Sequence, residues 1–400
     1  MIGNTPAVVL GAGINGLGVA RSLALARVRV WLADSDPRRP EMHTRAARSL
    51  PIESLHGDAL INELVRLGST QFAGVRPVLM LTQEESVKLV SRHRERLTEL
   101  YRFSLPTREL VETLQHKHGF QRLAEQLGCP IPALVRIGSV DELGLLEQLR
   151  YPVVVKPGER HDAYSRQFKK AYRMVSASEA AELVRRILPV MPDVVVQEWT
   201  EGPDSNIYFC LQYLDRHTRV TASFTGRKVR SWPPQVGGTA SCMPAPEADA
   251  ELSAMTARFF HEAGVTGLAA MEYKRDSRDG QFRMVEPTIG RTDYQAEVAT
   301  LNGVNLPYAA YCDMVGDTCT AGRVVRSMGW RVRSEDVQSA AAQRQRMSDG
   351  FAGCAGVADA LWRWSDPVPS LLRNLQRVGN SLKSHVVKKL PKSRPLESKS

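Results

Sequence analysis

The 400-residue chain has no run of 18 or more apolar residues, which excludes a helical membrane span of ordinary length. Its six cysteines (Cys129, Cys210, Cys242, Cys312, Cys319 and Cys354) form no CxxC pair and have no histidine at metal-ligand spacing. That speaks against a zinc site or a disulfide framework and for reduced thiols in the cytoplasm. The opening residues, MIGNTPAVVLGAG, lack a basic n-region and lead directly into a strand pattern, so no signal peptide is expected. There is no internal repeat. Basic residues are not interleaved with aromatic ones, and nucleic acid is not an expected partner.

The composition is that of a soluble globular protein, 43% hydrophobic and 24% charged. The length suggests two or three domains. The net charge is +10, and part of the excess is local: residues 371–400 hold eight Lys/Arg and one acid, Glu397. This reads first as a solvated tail. Weak membrane-surface contact is the alternative, helped by the aromatic and apolar residues before it, ALWRWSDPVPSLL.

Near the start, AVVLGAGINGLG sets Gly11, Gly13 and Gly16 behind an apolar run, and a second apolar run, 28–32, leads to Asp34. Taken alone this is a dinucleotide signature: glycines bring backbone to a pyrophosphate and the acid takes the ribose. Strands are expected at 7–11, 28–33 and 77–81, and a charged helix at 85–100. From about 106 the texture changes. PTRELVETLQHKHGFQRLAEQLGCPIP has helical periodicity, broken by Gly119 and ended by Gly128 and Pro130. Two further helices open with capping-box pairs, Ser139 with Glu142 and Ser176 with Glu179. YPVVVKP is a buried strand closing on Lys156, and DVVVQEW another closing on Gln197 and Glu198. Strands follow at 206–213 and 219–225.

Residues 267–295, GLAAMEYKRDSRDGQFRMVEPTIGRTDYQ, read as a hairpin turning at Asp279 and Gly280. That register sets Glu272 opposite Glu286, about 5 Å apart, on one face. Thr288 lies on the same face. Two carboxylates that close call for a cation, and Mg²⁺ is hard and oxygen-loving. Beyond about 316 the pattern is helical and then loop-like, and the last ten or so residues are expected to be disordered.

The ordered series of a helix lysine, a strand-end lysine, a strand-end Gln-Glu and a Glu/Glu hairpin resembles the ATP-grasp superfamily over residues 1–316. The layout is most similar to carboxylate–amine ligases of the D-aspartate ligase and carbamoyl-phosphate synthase type. The resemblance implies an α/β fold. A Rossmann-like pre-ATP-grasp domain spans 1–105, an α+β ATP-grasp domain of two subdomains spans 106–316, and a mostly helical or disordered tail fills 317–400. In this family the glycine loop serves packing and carries no dinucleotide.

The resemblance also implies roles. Lys117 and Lys156 hold phosphates. Next to Gln197, backbone groups of Trp199 and Thr200 meet the adenine edge and Glu198 accepts from its amino group. Glu201 or Asp204 takes the ribose. Glu272 and Glu286 ligate Mg²⁺ (or Mn²⁺), Arg291 orients phosphate, and Lys228, with Arg227 and Arg230 nearby, faces the acyl phosphate or carboxylate. Arg166, Lys169 and Lys170 form a basic lid. Two positions depart from the family: Thr288 stands where an Asn is usual, and Arg291 is displaced by one. The implied cofactors are ATP and Mg²⁺. The implied partners are a small carboxylate and a small amine, with homodimerisation open. The implied reaction is amide formation through an acyl phosphate. Three rivals stand beside it: a non-catalytic ATP-binding module, an NAD- or FAD-dependent oxidoreductase using the glycine loop, and a membrane-peripheral partner protein resting on the basic tail.

Overall fold

Ala7–Leu10 (β1), Val30–Asp34 (β2), Arg48–Pro51 (β3) and Val78–Leu81 (β4) form a parallel sheet in the order β3-β2-β1-β4. The structure is a computed structural model and describes residues 5–157, 162–169, 171–235, 237–318 and 322–389. β1 and β4 are buried along their whole length, as continuous apolar runs are when both faces of a parallel sheet are covered. Val8 and Leu10 pack with Leu60 and Leu64 of the helix Gly57–Ser69, while Ala7 and Val9 pack with Val19 and Leu23 of the helix Ile14–Leu25.

The glycine loop is closed on itself. A Cβ on Gly16 would lie 1.9 Å from the Gly11 carbonyl oxygen. Asp34 is fully buried; one of its carboxylate oxygens accepts from the Ala12 N–H at 2.8 Å and the other from the Asp36 N–H at 3.0 Å. The acid that a dinucleotide would need for its ribose thus holds the loop, an arrangement that does not favour the oxidoreductase alternative.

Leu134–Ile137 (β5), Val153–Pro157 (β6), Tyr172–Met174 (β7) and Val194–Glu198 (β8) form an antiparallel sheet, β5-β8-β6-β7. Its apolar face packs on Ala180, Val184 and Ile187 of the helix Ala177–Ile187 and on Leu146. Ser176 caps that helix, accepting from the Glu179 N–H at 3.3 Å. The Ser139–Glu142 capping box also forms, but it opens a 3₁₀ run, Val140–Gln148, in place of the expected α-helix.

Ile207–Leu214 (β9), Val220–Trp232 (β10), Gly238–Pro244 (β11), Gly267–Arg275 (β12), Phe282–Ile289 (β13), Met328–Arg331 (β14) and Gly356–Asp359 (β15) build a seven-stranded sheet. The order is β13-β12-β9-β10-β11-β14-β15, antiparallel except for β14 and β15. These last two strands are too short and too mixed in polarity to show in the sequence pattern. The helical part of the C-terminal region is Arg333–Ala342 and Val368–Lys389. The expected disorder of the final residues concerns positions outside the described ones. Among the described residues no helix is long and apolar enough to cross a membrane.

The first sheet is tied to the third beside the glycine loop. The Asn15 amide donates to the carbonyls of Thr82 at 3.1 Å and Thr292 at 2.9 Å, and the Thr292 hydroxyl donates back to Asn15 Oδ1 at 2.6 Å.

Candidate active site between two sheets

β6 carries Lys156 out of a run of three valines. Its Nζ donates to Gln197 Oε1 on β8 at 2.6 Å. Gln197 Nε2 in turn donates to Gln121 Oε1 at 3.3 Å. Gln121 lies one turn beyond Lys117 on the helix Lys117–Gln126. Burial and then the charge of Lys117 push the Lys156 ammonium down to about 8, against the opposing pull of Glu286. Lys117 itself is exposed and forms no ion pair among the described residues. Thus a pair of glutamines connects Lys156 to the helix that carries Lys117, and both lysines interact electrostatically with Glu286.

In the β12–β13 hairpin Glu272 stands directly opposite Glu286, and Ala270 opposite Thr288. The register slips between Glu272 and Tyr273, leaving Val285 as the extra residue of a bulge. Lys228 Nζ, almost wholly buried on β10, lies 2.8 Å from Glu272 Oε2. Burial depresses the Lys228 ammonium, but Glu272, Asp293 and Asp204 together raise it above its ordinary value. Glu286 is solvent-accessible and makes no hydrogen bond among the described residues. The protein packed around it raises its carboxyl; Lys117 opposes this, while Glu272, Asp293 and Glu84 add to it.

Among the described residues no group of three or more His, Cys, Asp or Glu is arranged around a metal position. Two facing carboxylates do suit a hard cation that takes its remaining oxygens from phosphate.

A cavity of about 180 Å³ opens between the end of β8 and the hairpin, lined by Gln197, Glu198, Trp199, Thr200, Glu272 and Lys274. Lys274 Nζ sits 4.9 Å from the centre of the Trp199 ring. Burial lowers its ammonium, while Asp204 and Glu201 oppose the shift. Lys274 went unnoticed in the sequence, although it stands two residues after Glu272 and so shares its face. Gln121 and Asp293 were missed as well. Gln121 could have been found by its i, i+4 spacing from Lys117; Asp293 lies past the hairpin, where no periodicity applies.

Several implied contacts are taken by the protein itself. The Trp199 N–H donates to the Pro152 carbonyl at 2.9 Å, and its carbonyl accepts from Arg278 Nη2 at 2.9 Å. Its backbone is therefore not free for an adenine edge. The Thr200 N–H makes no hydrogen bond among the described residues. The Glu198 carboxylate accepts from the Arg150 N–H at 2.8 Å and faces that guanidinium at 3.6 Å. Glu201 pairs with Arg173 at 2.7 Å.

Asp204 is buried; its oxygens accept from the N–H groups of Ser231 at 3.0 Å and Gln235 at 2.8 Å, and from Gln343 Nε2 at 3.1 Å. This acid fixes the turn before β9 to β10 and is not available to a ribose.

The basic run on β10 diverges at its bulge. Lys228 reaches Glu272, Arg227 faces Glu247 at 3.6 Å, and the fully buried Arg230 bonds Asp336 at 2.6 Å. Arg291 donates to the Thr292 carbonyl at 3.1 Å and pairs with no carboxylate among the described residues. Arg166, in the last turn of the helix Asp162–Gln167, and Lys169, just after it, are exposed; Lys170 lies outside the described residues.

No family model matches the chain. A curated relative, the D-aspartate ligase of Enterococcus faecium (strain Aus0004), is 26% identical over 319 residues, covering 75% of this chain and 74% of its own. N5-carboxyaminoimidazole synthetase from Staphylococcus aureus superposes with a TM-score of 0.60 at 13% identity, over 81% of each chain. L-amino acid ligase from Bacillus licheniformis does so with a TM-score of 0.57 at 16% identity, over 82% of this chain and 79% of that one. At these identities the solved structures carry the fold.

Proposed function

We propose, on the premise that this chain is an ATP-grasp enzyme of the carboxylate–amine ligase type, that it joins a carboxylate to an amine through an acyl phosphate made with ATP. The observation that carries this reading is one cleft holding both halves of a nucleotide site. Its inner end is the strand-end segment Gln197 to Thr200. Its outer end is Glu272, with Glu286 opposite it across the hairpin, Lys156 bonded to Gln197, and Lys117 near Glu286.

The Thr200 N–H offers a donor to the adenine edge. By strand alternation the Glu198 carbonyl faces the same side and offers an acceptor. With Asp204 committed to the fold, Glu201 is the acid left for ribose, in exchange for Arg173. Lys117 and Lys156 are compact charges suited to phosphate. Glu272 and Glu286 would hold Mg²⁺, with the Thr288 hydroxyl near; a cation there would neutralise phosphate charge as it develops. Lys228 holds one oxygen of Glu272 and so fixes the orientation of that carboxylate. Arg291, which pairs with no acid among the described residues, would meet the transferred phosphoryl group.

A carboxylate oxygen of the substrate attacks the γ-phosphorus and ADP leaves. The amine nitrogen then attacks the acyl carbon, and inorganic phosphate leaves with the formation of the amide. Exclusion of water from the cleft protects the acyl phosphate from hydrolysis.

The test is ADP release from Mg·ATP across a panel of amino acids and small carboxylates that includes D-aspartate, with Glu286→Gln alongside. ADP formed only with a particular pair, and lost in the variant, supports the ligase. ATP binding with no turnover for any pair favours the binding module. No ATP binding at all overturns the reading.

A further inference from the structure

We propose that the outer face of the helix Val368–Lys389 is a docking surface for an anionic lipid bilayer. This does not depend on the ligase reading.

The inner face of the helix is fixed to the first layer. Arg373 bonds the buried carboxylate of Glu41, and Gln376 Nε2 donates to the Arg38 carbonyl at 2.8 Å. The segment leading into it is pinned as well. Arg21 donates to the carbonyls of Ala360 and Leu361, each at 2.8 Å, and pairs with Asp366 at 2.9 Å. The Thr44 hydroxyl also donates to Asp366, at 2.6 Å. The helix therefore has a defined orientation, and its other side faces outward.

That side is apolar where the chemistry of a soluble surface would make it polar. Leu371, Leu375 and Val378 follow one another at i, i+4 and i+7 and are 51%, 67% and 59% exposed. Trp364, just upstream, is 87% exposed, its ring 5.3 Å from that of Trp362. The sequence continues the spacing with Leu382 and Val386. Residues 368–389 contain Arg373, Arg377, Lys383, Lys388 and Lys389 and no acid.

Charge selects the occupant. With Arg373 paired to Glu41, a second copy of the helix would still bring Arg377, Lys383, Lys388 and Lys389 against the same four charges, with no acid between them. The stripe is also short, and Gly379 interrupts it, which does not suit a coiled coil. An anionic bilayer supplies an apolar layer for Leu371, Leu375 and Val378, phosphate charge for the lysines and arginines, and the interfacial depth that tryptophan favours. Neither signal alone holds a protein firmly; the two together give reversible attachment.

The test uses the full chain, sedimented with vesicles of phosphatidylcholine and with vesicles that also contain phosphatidylglycerol, at low and raised salt. Binding is expected only with phosphatidylglycerol, and salt should release it. The variant carrying Leu371→Ser, Leu375→Ser and Val378→Ser should bind at least about tenfold more weakly. Its thermal midpoint should be unchanged, because these side chains are exposed. The proposal is overturned if the wild type ignores phosphatidylglycerol vesicles, or if the triple variant binds them as well as the wild type does. It is equally overturned if light scattering gives a dimer that the variant abolishes without any vesicle binding, since the face would then belong to a second copy.

Discussion

Lys156 Nζ donates to the side-chain carbonyl of Gln197 across 2.6 Å, so a buried-leaning ammonium is held by a neutral partner. A glutamine orients the charge without cancelling it, which leaves it available to a phosphate. Lys156→Met is expected to weaken ATP binding by about 10- to 100-fold, the worth of one charge-assisted hydrogen bond, as read by calorimetry.

The pH dependence has a definite sign. The ammonium sits at about 8 in the fold against 10.5 ordinarily. Folding therefore favours the neutral form, and the destabilisation from this group is present below about 8 and fades as pH rises toward 10.5. ATP affinity of the wild type should fall between pH 7 and 9 as the charge is lost, and the Met variant should lack that component.

Glu286 is raised by its surroundings and by neighbouring acids, with Lys117 and, reciprocally, Lys156 opposing. A raised carboxyl stabilises the fold while protonated, and that contribution is lost as pH rises through its folded pKa. Glu286→Gln should therefore raise the thermal midpoint of the ligand-free protein at neutral pH while lowering turnover at least about 100-fold. Added Mg·ATP should stabilise the wild type more than the variant, measured by thermal shift with and without the nucleotide.

Gly16 tests the purpose of the glycine loop. A methyl group at that position would meet the Gly11 carbonyl oxygen at 1.9 Å. Gly16→Ala is expected to cost about 1–3 kcal/mol of stability in chemical denaturation. No NAD or FAD binding should be detected in either protein.

Asp204 and Glu201 separate structure from ligand binding. Asp204→Ala strands the N–H groups of Ser231 and Gln235 and the Gln343 amide, and should cost on the order of 2 kcal/mol or more in stability. Glu201, half-buried and paired with the more exposed Arg173, should cost little in stability when changed to Ala but should weaken ATP binding.

How far the sequence reached depends on whether a contact is local. Runs such as VVVK and VVVQE, and the Glu272/Glu286 hairpin with its turn at Asp279 and Gly280, obey period and turn rules within one or two elements. They were readable at once. The engagement of Trp199 with Pro152 and Arg278, and of Asp204 with β10, depends on partners brought by tertiary packing, and no spacing announces those. The short strands β3, β7, β14 and β15 carry charges or glycine and gain their pairing from neighbours already in place. Lys274 and Gln121 fell between: each lay at a helical or strand interval from a residue already identified, so face-sharing could have found them.

The hydrogen bonds between Asn15 and Thr292 join positions 277 residues apart. During synthesis at 5–20 residues per second, Asn15 would wait roughly 14 to 55 s for its partner to be made. The parallel layer can assemble long before that, but the rim where it meets the loop after β13 cannot. The cleft is therefore a late product of translation. A nascent chain stalled before Thr292 would have the four strands of the first layer, but neither their full cover, which includes Val298, Leu306 and Ala310, nor a finished site.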